Sequence, residues 1–234
     1  MAATLVTGYV RLDSVHRPHD RYAKLGRRLL GLGQPGVAYY DGPEKDLVSC
    51  ITTKVRPTSL KRCWLHGPAV GAQPPHGDPV KDTVAYCVVQ HQKSKWLADA
   101  AAIVDSDLLV WIDFGIFHLP QVTDDLVMDY LDVINDTAPR DKITAPQAWP
   151  LTGRPLIDWS KPAWYLLGGV MVMPTVLSGW FHDKCVQYAT LQLESTGRAT
   201  WEVNTWAAIA RDNRNRFAFY QANHDETIFS GYTP

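Results

Sequence analysis

Leu108-Leu-Val-Trp-Ile-Asp-Phe-Gly115 constrains this chain more than any other segment: an unbroken apolar run that ends in one carboxylate, Asp113, followed by a glycine turn. A run this short, with a helical stretch before it and Gly115 after, reads as a buried parallel-sheet strand. Asp113 then lies at the strand's carboxyl end, where open α/β sheets place their ligands. A strand that delivers one Asp to a sheet edge suits a metal or a phosphate-bearing substrate. The structural alternative is an Asp that only caps a turn.

The rest of the chain supports an α/β reading. Residues 4 to 10 form a first strand, β-branched and aromatic. A polar loop with His16, Arg17, Pro18 and His19 leads to a helix from about Asp20, its expected N-cap, to Leu30, ended by Gly31 and Gly33. Gly36 to Tyr40 is a second strand that stops at Asp41-Gly42-Pro43. This opening indicates a parallel sheet with right-handed crossovers. Residues 65 to 82, rich in Pro, Gly and His, read as a loop, and Asp82 as the cap of a long helix reaching about Val104. The strand 108 to 113 and a helix near 123 to 134 follow. Residues 137 to 162 hold five prolines and read as irregular. Trp164 to Met173 reads as a further buried strand. Two helices, about Val176 to Glu194 and Glu202 to Asp212, precede a strand from Phe217 to Tyr220 and a polar tail, His224-Asp225-Glu226. The expected fold is one domain over residues 1 to 234: a mostly parallel, twisted, Rossmann-like sheet flanked by helices.

Composition narrows the function classes. The 234 residues are 46% hydrophobic and 20% charged, with a formal charge of −1, so no global positive field points to nucleic acid. Residues 11 to 28 and 54 to 62 are nonetheless locally basic. Cys50, Cys63, Cys87 and Cys185 lack metal-ligand spacing and read as reduced thiols of a cytoplasmic protein. No apolar span reaches membrane length, and no signal peptide is expected. There is no GxxxxGK[ST], GxSxG or HExxH, which removes the common P-loop, hydrolase and zincin readings. Asp105-Ser-Asp107 is a nominal D-x-D, but it precedes the strand and so belongs to the opposite sheet edge. On the long helix Tyr86, Gln90 and Lys93 share one face. The Gly168-Gly169 pair either lets a ligand approach the backbone or marks a bulge.

Several segments, taken in order, resemble a known family: Thr4-Leu-Val-Thr-Gly-Tyr9, Arg21-Tyr22, Lys93-x-x-Trp96-Leu97, Trp111-Ile-Asp-Phe-Gly-Ile116, Gly168-Gly-Val-Met-Val-Met173 and the helix opening at Glu202. They resemble GT-A-type nucleotide-sugar glycosyltransferases, and more closely the HtrL/YibB-type family of small bacterial glycosyltransferases. The resemblance implies a GT-A-like fold and a nucleotide-sugar donor, with a UDP-sugar foremost. It implies donor contacts from Val6, Thr7, Arg21, Lys93, Asp113, Gly115, Gly168 and Gly169. Asp113 would reach a diphosphate bound by Mn²⁺ or Mg²⁺, hard cations that favour oxygen, with His224 or Asp225 completing the shell; the alternative uses Lys93 or Arg21 on the phosphates without a tight metal. Glu202 is the expected general base, with Asp225 as its competitor, and Trp201 the acceptor platform. The acceptor would be a saccharide or a hydroxymethylated pyrimidine in DNA. A non-catalytic nucleotide-sugar binder is the third expectation.

Overall fold

The computed structural model describes residues 2–13, 18–47, 53–151 and 157–234. His16, Arg17, Cys50 and Pro155 lie outside them. The seven strands among the described residues join one sheet: β1 (Thr4–Tyr9), β2 (Gly36–Tyr40), β3 (Thr53–Pro57), β4 (Leu108–Ile112), β5 (Ile143–Gln147), β6 (Val170–Pro174) and β7 (Phe217–Gln221). Their order is β3-β2-β1-β4-β6-β5-β7. Pairing is parallel except on the two sides of β6, which runs against β4 and β5. The α/β, mostly parallel expectation therefore holds.

Side-chain alternation along each strand splits the core between two faces. On β4, Leu109 and Trp111 join Val6, Met171, Phe181 and Trp206 on one face. Leu108, Val110 and Ile112 join Leu5, Leu29, Ile134 and Phe229 on the other. The helices are α1 (His19–Leu30), α2 (Val84–Ala101), α3 (Asp124–Thr137), α4 (Thr175–Thr196), α5 (Glu202–Asp212) and the short α6 (Thr227–Ser230). Helix α2 is capped by Thr83, whose side chain accepts from the Tyr86 amide at 3.1 Å, one residue beyond the expected Asp82. Pro18, not Asp20, precedes α1, and Asp20 falls in its first turn.

The chain enters at β1, winds outward through β2 and β3, then returns to place β4 on β1's other flank. The crossover directions diverge between β1 and β4, which opens a crevice at their carboxyl ends. The turn after β4 is fixed against α1 by a close approach: a Cβ at Gly26 would lie 1.9 Å from the Phe114 ring. Glycine inside a helix costs about 1 kcal/mol relative to alanine, so Gly26 serves packing rather than helix propensity. We expect Gly26→Ala to destabilise the protein by about 1–3 kcal/mol through overpacking, read as a lowered urea midpoint. A raised midpoint would show that Phe114 yields freely.

Candidate active site

The crevice is a cavity of about 430 Å³, within the range of small-molecule sites. The ends of β1 and β4 supply its back wall through Gly8, Tyr9 and Val10 and through Trp111, Asp113, Phe114 and Gly115. Tyr86, Gln90 and Lys93 line it from α2, as their spacing predicts. Gly168 and Gly169 come from the segment before β6, and Trp201 and Glu202 from the start of α5.

Lys93 stands at the centre of the floor, its side chain only 4% exposed. Its Nζ donates to Glu202 Oε1 at 2.8 Å and to the Gly168 carbonyl at 3.0 Å, and it pairs with Asp113 Oδ1 at 2.9 Å. Burial alone would push this lysine's pKa down; the charges and hydrogen bonds of Asp113 and Glu202 outweigh burial and raise it, so the ammonium form is held. Asp113 Oδ1 also accepts from Trp111 Nε1 at 2.9 Å, a bond between residues on the same strand face. Asp113 is partly exposed, and Oδ2 is its oxygen not engaged by these donors.

Two buried polar residues hold these elements in register. His91 is sandwiched between the Cys87 carbonyl and Thr205 Oγ1, both at 2.9 Å, which ties α2 to α5. Burial keeps its pKa below that of an ordinary histidine. Asn204 accepts from the Ala163 amide and donates to the Asp158 and Lys161 carbonyls, fixing the loop that delivers Trp164 to the cavity.

Aromatic rings form the sides. Tyr9 stacks on Phe114 with centroids 5.3 Å apart and lies 5.3 Å from Tyr22. Trp201 meets Tyr86 and Trp164 edge-on at 5.2 and 5.5 Å. Lys81 lies over Trp201 at 4.7 Å, and His224 is 5.7 Å from His118 and 6.5 Å from Trp164. Lys81, His118 and His224 are more exposed than Lys93 and Glu202, so the basic groups gather at the mouth.

Eight of the expected site residues thus converge on one cavity: Lys93, Asp113, Gly115, Gly168, Gly169, Trp201, Glu202 and His224. Four do not. Val6 and Thr7 are mid-strand and fully buried, their side chains packed into the sheet; the wall begins one residue later, at Gly8. Arg21 is exposed on α1, and its neighbour Tyr22 lines the cavity instead. Asp225 accepts from the Thr227 amide at 2.9 Å and from the Thr227 hydroxyl, bonds that lower its pKa and tie it to the first residue of α6. Two of the eight are nearly enclosed. Glu202 is 2% exposed and serves as the counter-ion of Lys93; its Oε2 is buried and without a hydrogen bond, so it presents no oxygen as an exposed base. Trp201 is 5% exposed and edge-packed, whereas Trp164 is more exposed. Tyr9, Tyr22, Lys81, Trp96, His118 and Trp164 line the cavity as well; the alternation that places Trp111 beside Asp113 is a sequence signal that points toward such walls.

The donor set does not fit a resident divalent cation. Among the described residues no three His, Cys, Asp or Glu side chains come together as a metal site. Asp113 Oδ1 and Glu202 Oε1 both already face the Lys93 ammonium.

No protein-family model and no curated protein matches the chain. A solved structure of CMP:2-keto-3-deoxy-manno-octonic acid synthetase complexed with CTP is similar over 95% of this chain and 90% of its own, at 12% identity and a TM-score of 0.45. No described helix is long and apolar enough to cross a membrane. Cys63, Cys87 and Cys185 are buried free thiols, and burial pushes Cys63 up to about 12.

Proposed function

We propose that this chain is a nucleotide-sugar-dependent glycosyltransferase that moves a sugar, from a UDP-sugar foremost, to a saccharide hydroxyl. The observation that carries the reading is the meeting of Asp113 with a ring-walled cavity at the divergence of β1 and β4. The family resemblance of the segments around residues 4 to 9, 93 to 97 and 111 to 116 supports the same reading. The diphosphate is met at the mouth by Lys81 and the imidazoles of His118 and His224, and the sugar points to the floor. Rings such as Trp164 and Tyr9 suit the apolar faces of a sugar or the nucleobase. Asp113 is anchored through Oδ1, so Oδ2 accepts a hydrogen bond from a sugar hydroxyl and can take its proton. Glu202 and Lys93 hold that carboxylate in place and act through it.

The test is a thermal-shift panel of nucleotide sugars followed by transfer of radiolabelled sugar to saccharides. Parent protein is expected to be stabilised by its donor, and Asp113→Asn to lose about 10²–10⁴-fold in transfer. Transfer by Asp113→Asn at the parental rate, or no stabilisation by any nucleotide sugar, would defeat the proposal. Hydroxymethylcytosine DNA belongs in the acceptor panel. The locally basic segments give that acceptor little support: Arg11 pairs with Asp46, Arg28 with Asp124, and Lys54 donates to the Ile103 carbonyl. Donor hydrolysis without acceptor separates an enzyme from a non-catalytic binder.

A further inference from the structure

Three oxygens converge on a single point in the floor of the cavity: Asp113 Oδ1, Glu202 Oε1 and the Gly168 carbonyl, at 2.9, 2.8 and 3.0 Å from Lys93 Nζ. Two carboxylates and a carbonyl are the donors a hard divalent cation prefers. Here the point is filled by an ammonium. We propose that Lys93 is a built-in cation seated in an oxygen cage, and that the cavity takes its ligand without a divalent metal.

The geometry is specific to an ammonium. Lysine carries three N–H donors and no acceptor, and three acceptors surround it, so no donor is left to reach a ligand directly. Lys93 is therefore a positioning residue. The cage is closed by a glycine: a Cβ on Gly168 would lie 2.3 Å from Glu202 Oε1 and would displace that oxygen from its place. The Trp111 and Trp206 rings stand 5.6 and 5.8 Å from Nζ and add attraction for a cation at the same point. A fixed single charge on two carboxylates leaves one negative charge, which faces the cavity at Asp113. A divalent ion bound to Asp113 would sit within a few ångströms of the ammonium and be repelled by it.

This inference concerns the same cavity as the glycosyltransferase reading, yet its first test needs no nucleotide. The electron paramagnetic resonance signal of free Mn²⁺ is followed as protein is added. Wild type is expected to leave the signal unchanged; one bound Mn²⁺ per chain that Asp113→Asn abolishes would overturn the proposal. Lys93→Ala frees the three oxygens and is expected to bind Mn²⁺. With Mn²⁺ at about ten times its Kd, that variant's Tm should rise by about 3–6 °C. A folded Lys93→Ala that takes up no Mn²⁺ would refute the cage, and if that variant does not fold the wild-type measurements decide. With any nucleotide sugar that stabilises the wild type, the Tm shift should be the same in EDTA as in Mn²⁺. A shift seen only with Mn²⁺ would overturn the inference. No shift in either condition would count against the glycosyltransferase reading and leave the Mn²⁺ titration to judge Lys93.

Discussion

Lys93→Met is expected to destabilise the folded protein by about 3–5 kcal/mol, the usual cost of removing one partner from a buried ion pair. For a chain of this length that is a fall in Tm of about 6–20 °C, and a large share of the 5–15 kcal/mol typical of a whole domain. Methionine fills most of the lysine's volume, so the loss is electrostatic rather than a cavity effect. The two carboxylates do not share it equally. Asp113 is 35% exposed on its side chain and can turn toward water. Glu202 is 2% exposed, and its Oε2 is already without a hydrogen bond. The double variant Lys93→Met/Glu202→Gln should therefore recover more than half of the loss, whereas Lys93→Met/Asp113→Asn should recover little. Urea midpoints of the four proteins measure this directly. Equal recovery from both second substitutions would mean that burial at Glu202 is not what sets the cost.

That asymmetry also shows which parts of the molecule were legible in the sequence. Strands β1, β2 and β4 are short apolar runs closed by glycine or a turn, and each lies within a residue of its expected place. β3 was missed because Thr-Lys-Val-Arg-Pro has no apolar run; it is an edge strand with exposed cations. β5 was missed because Pro146 argued against a strand inside a sheet. Its proline is tolerated because the Pro146 carbonyl, on the β6 side, accepts from the Leu167 amide just beyond the registered pairing at Thr144. The stretch from Trp164 gave the opposite error. Only Val170–Pro174 is strand, and the apolar residues before it build the cavity wall instead of the sheet.

For the site, local pattern reached as far as placing side chains on faces and edges. Asp113 followed from the end of a strand, and Lys93 from the helix face it shares with Tyr86 and Gln90. Their meeting with Glu202, 109 residues from Lys93, depends on how α2 and α5 pack, which no periodicity encodes. The surroundings of Glu202 are hidden for the same reason: a carboxylate at a helix start looks accessible in sequence, and only packing shows it buried against a lysine.

Gly168→Ala should separate that packing from mere tightness. The added Cβ would lie 2.3 Å from Glu202 Oε1 and 3.2 Å from Val203 Cγ1, so the carboxylate must leave its place against Lys93. Glu202 sits in the first turn of α5, buried; as it shifts, Lys93 loses one of its three acceptors and one of the two donors that anchor Asp113 is displaced. Overpacking of this kind costs about 1–3 kcal/mol, visible without any substrate as a lowered urea midpoint. A displacement of about 1 Å at a positioned catalytic group costs about 10²-fold in rate, so transfer activity should fall by at least that factor. Gly169→Ala is the matched control. There the Cβ would meet only the methyl ends of Ile228 at 3.0 Å and Ile116 at 3.4 Å, and no group that touches Lys93 or Asp113. Its transfer rate should fall less than tenfold. Similar small losses in both variants would show that Glu202 moves aside without consequence, and that the oxygen cage around Lys93 does not hold Asp113 in position.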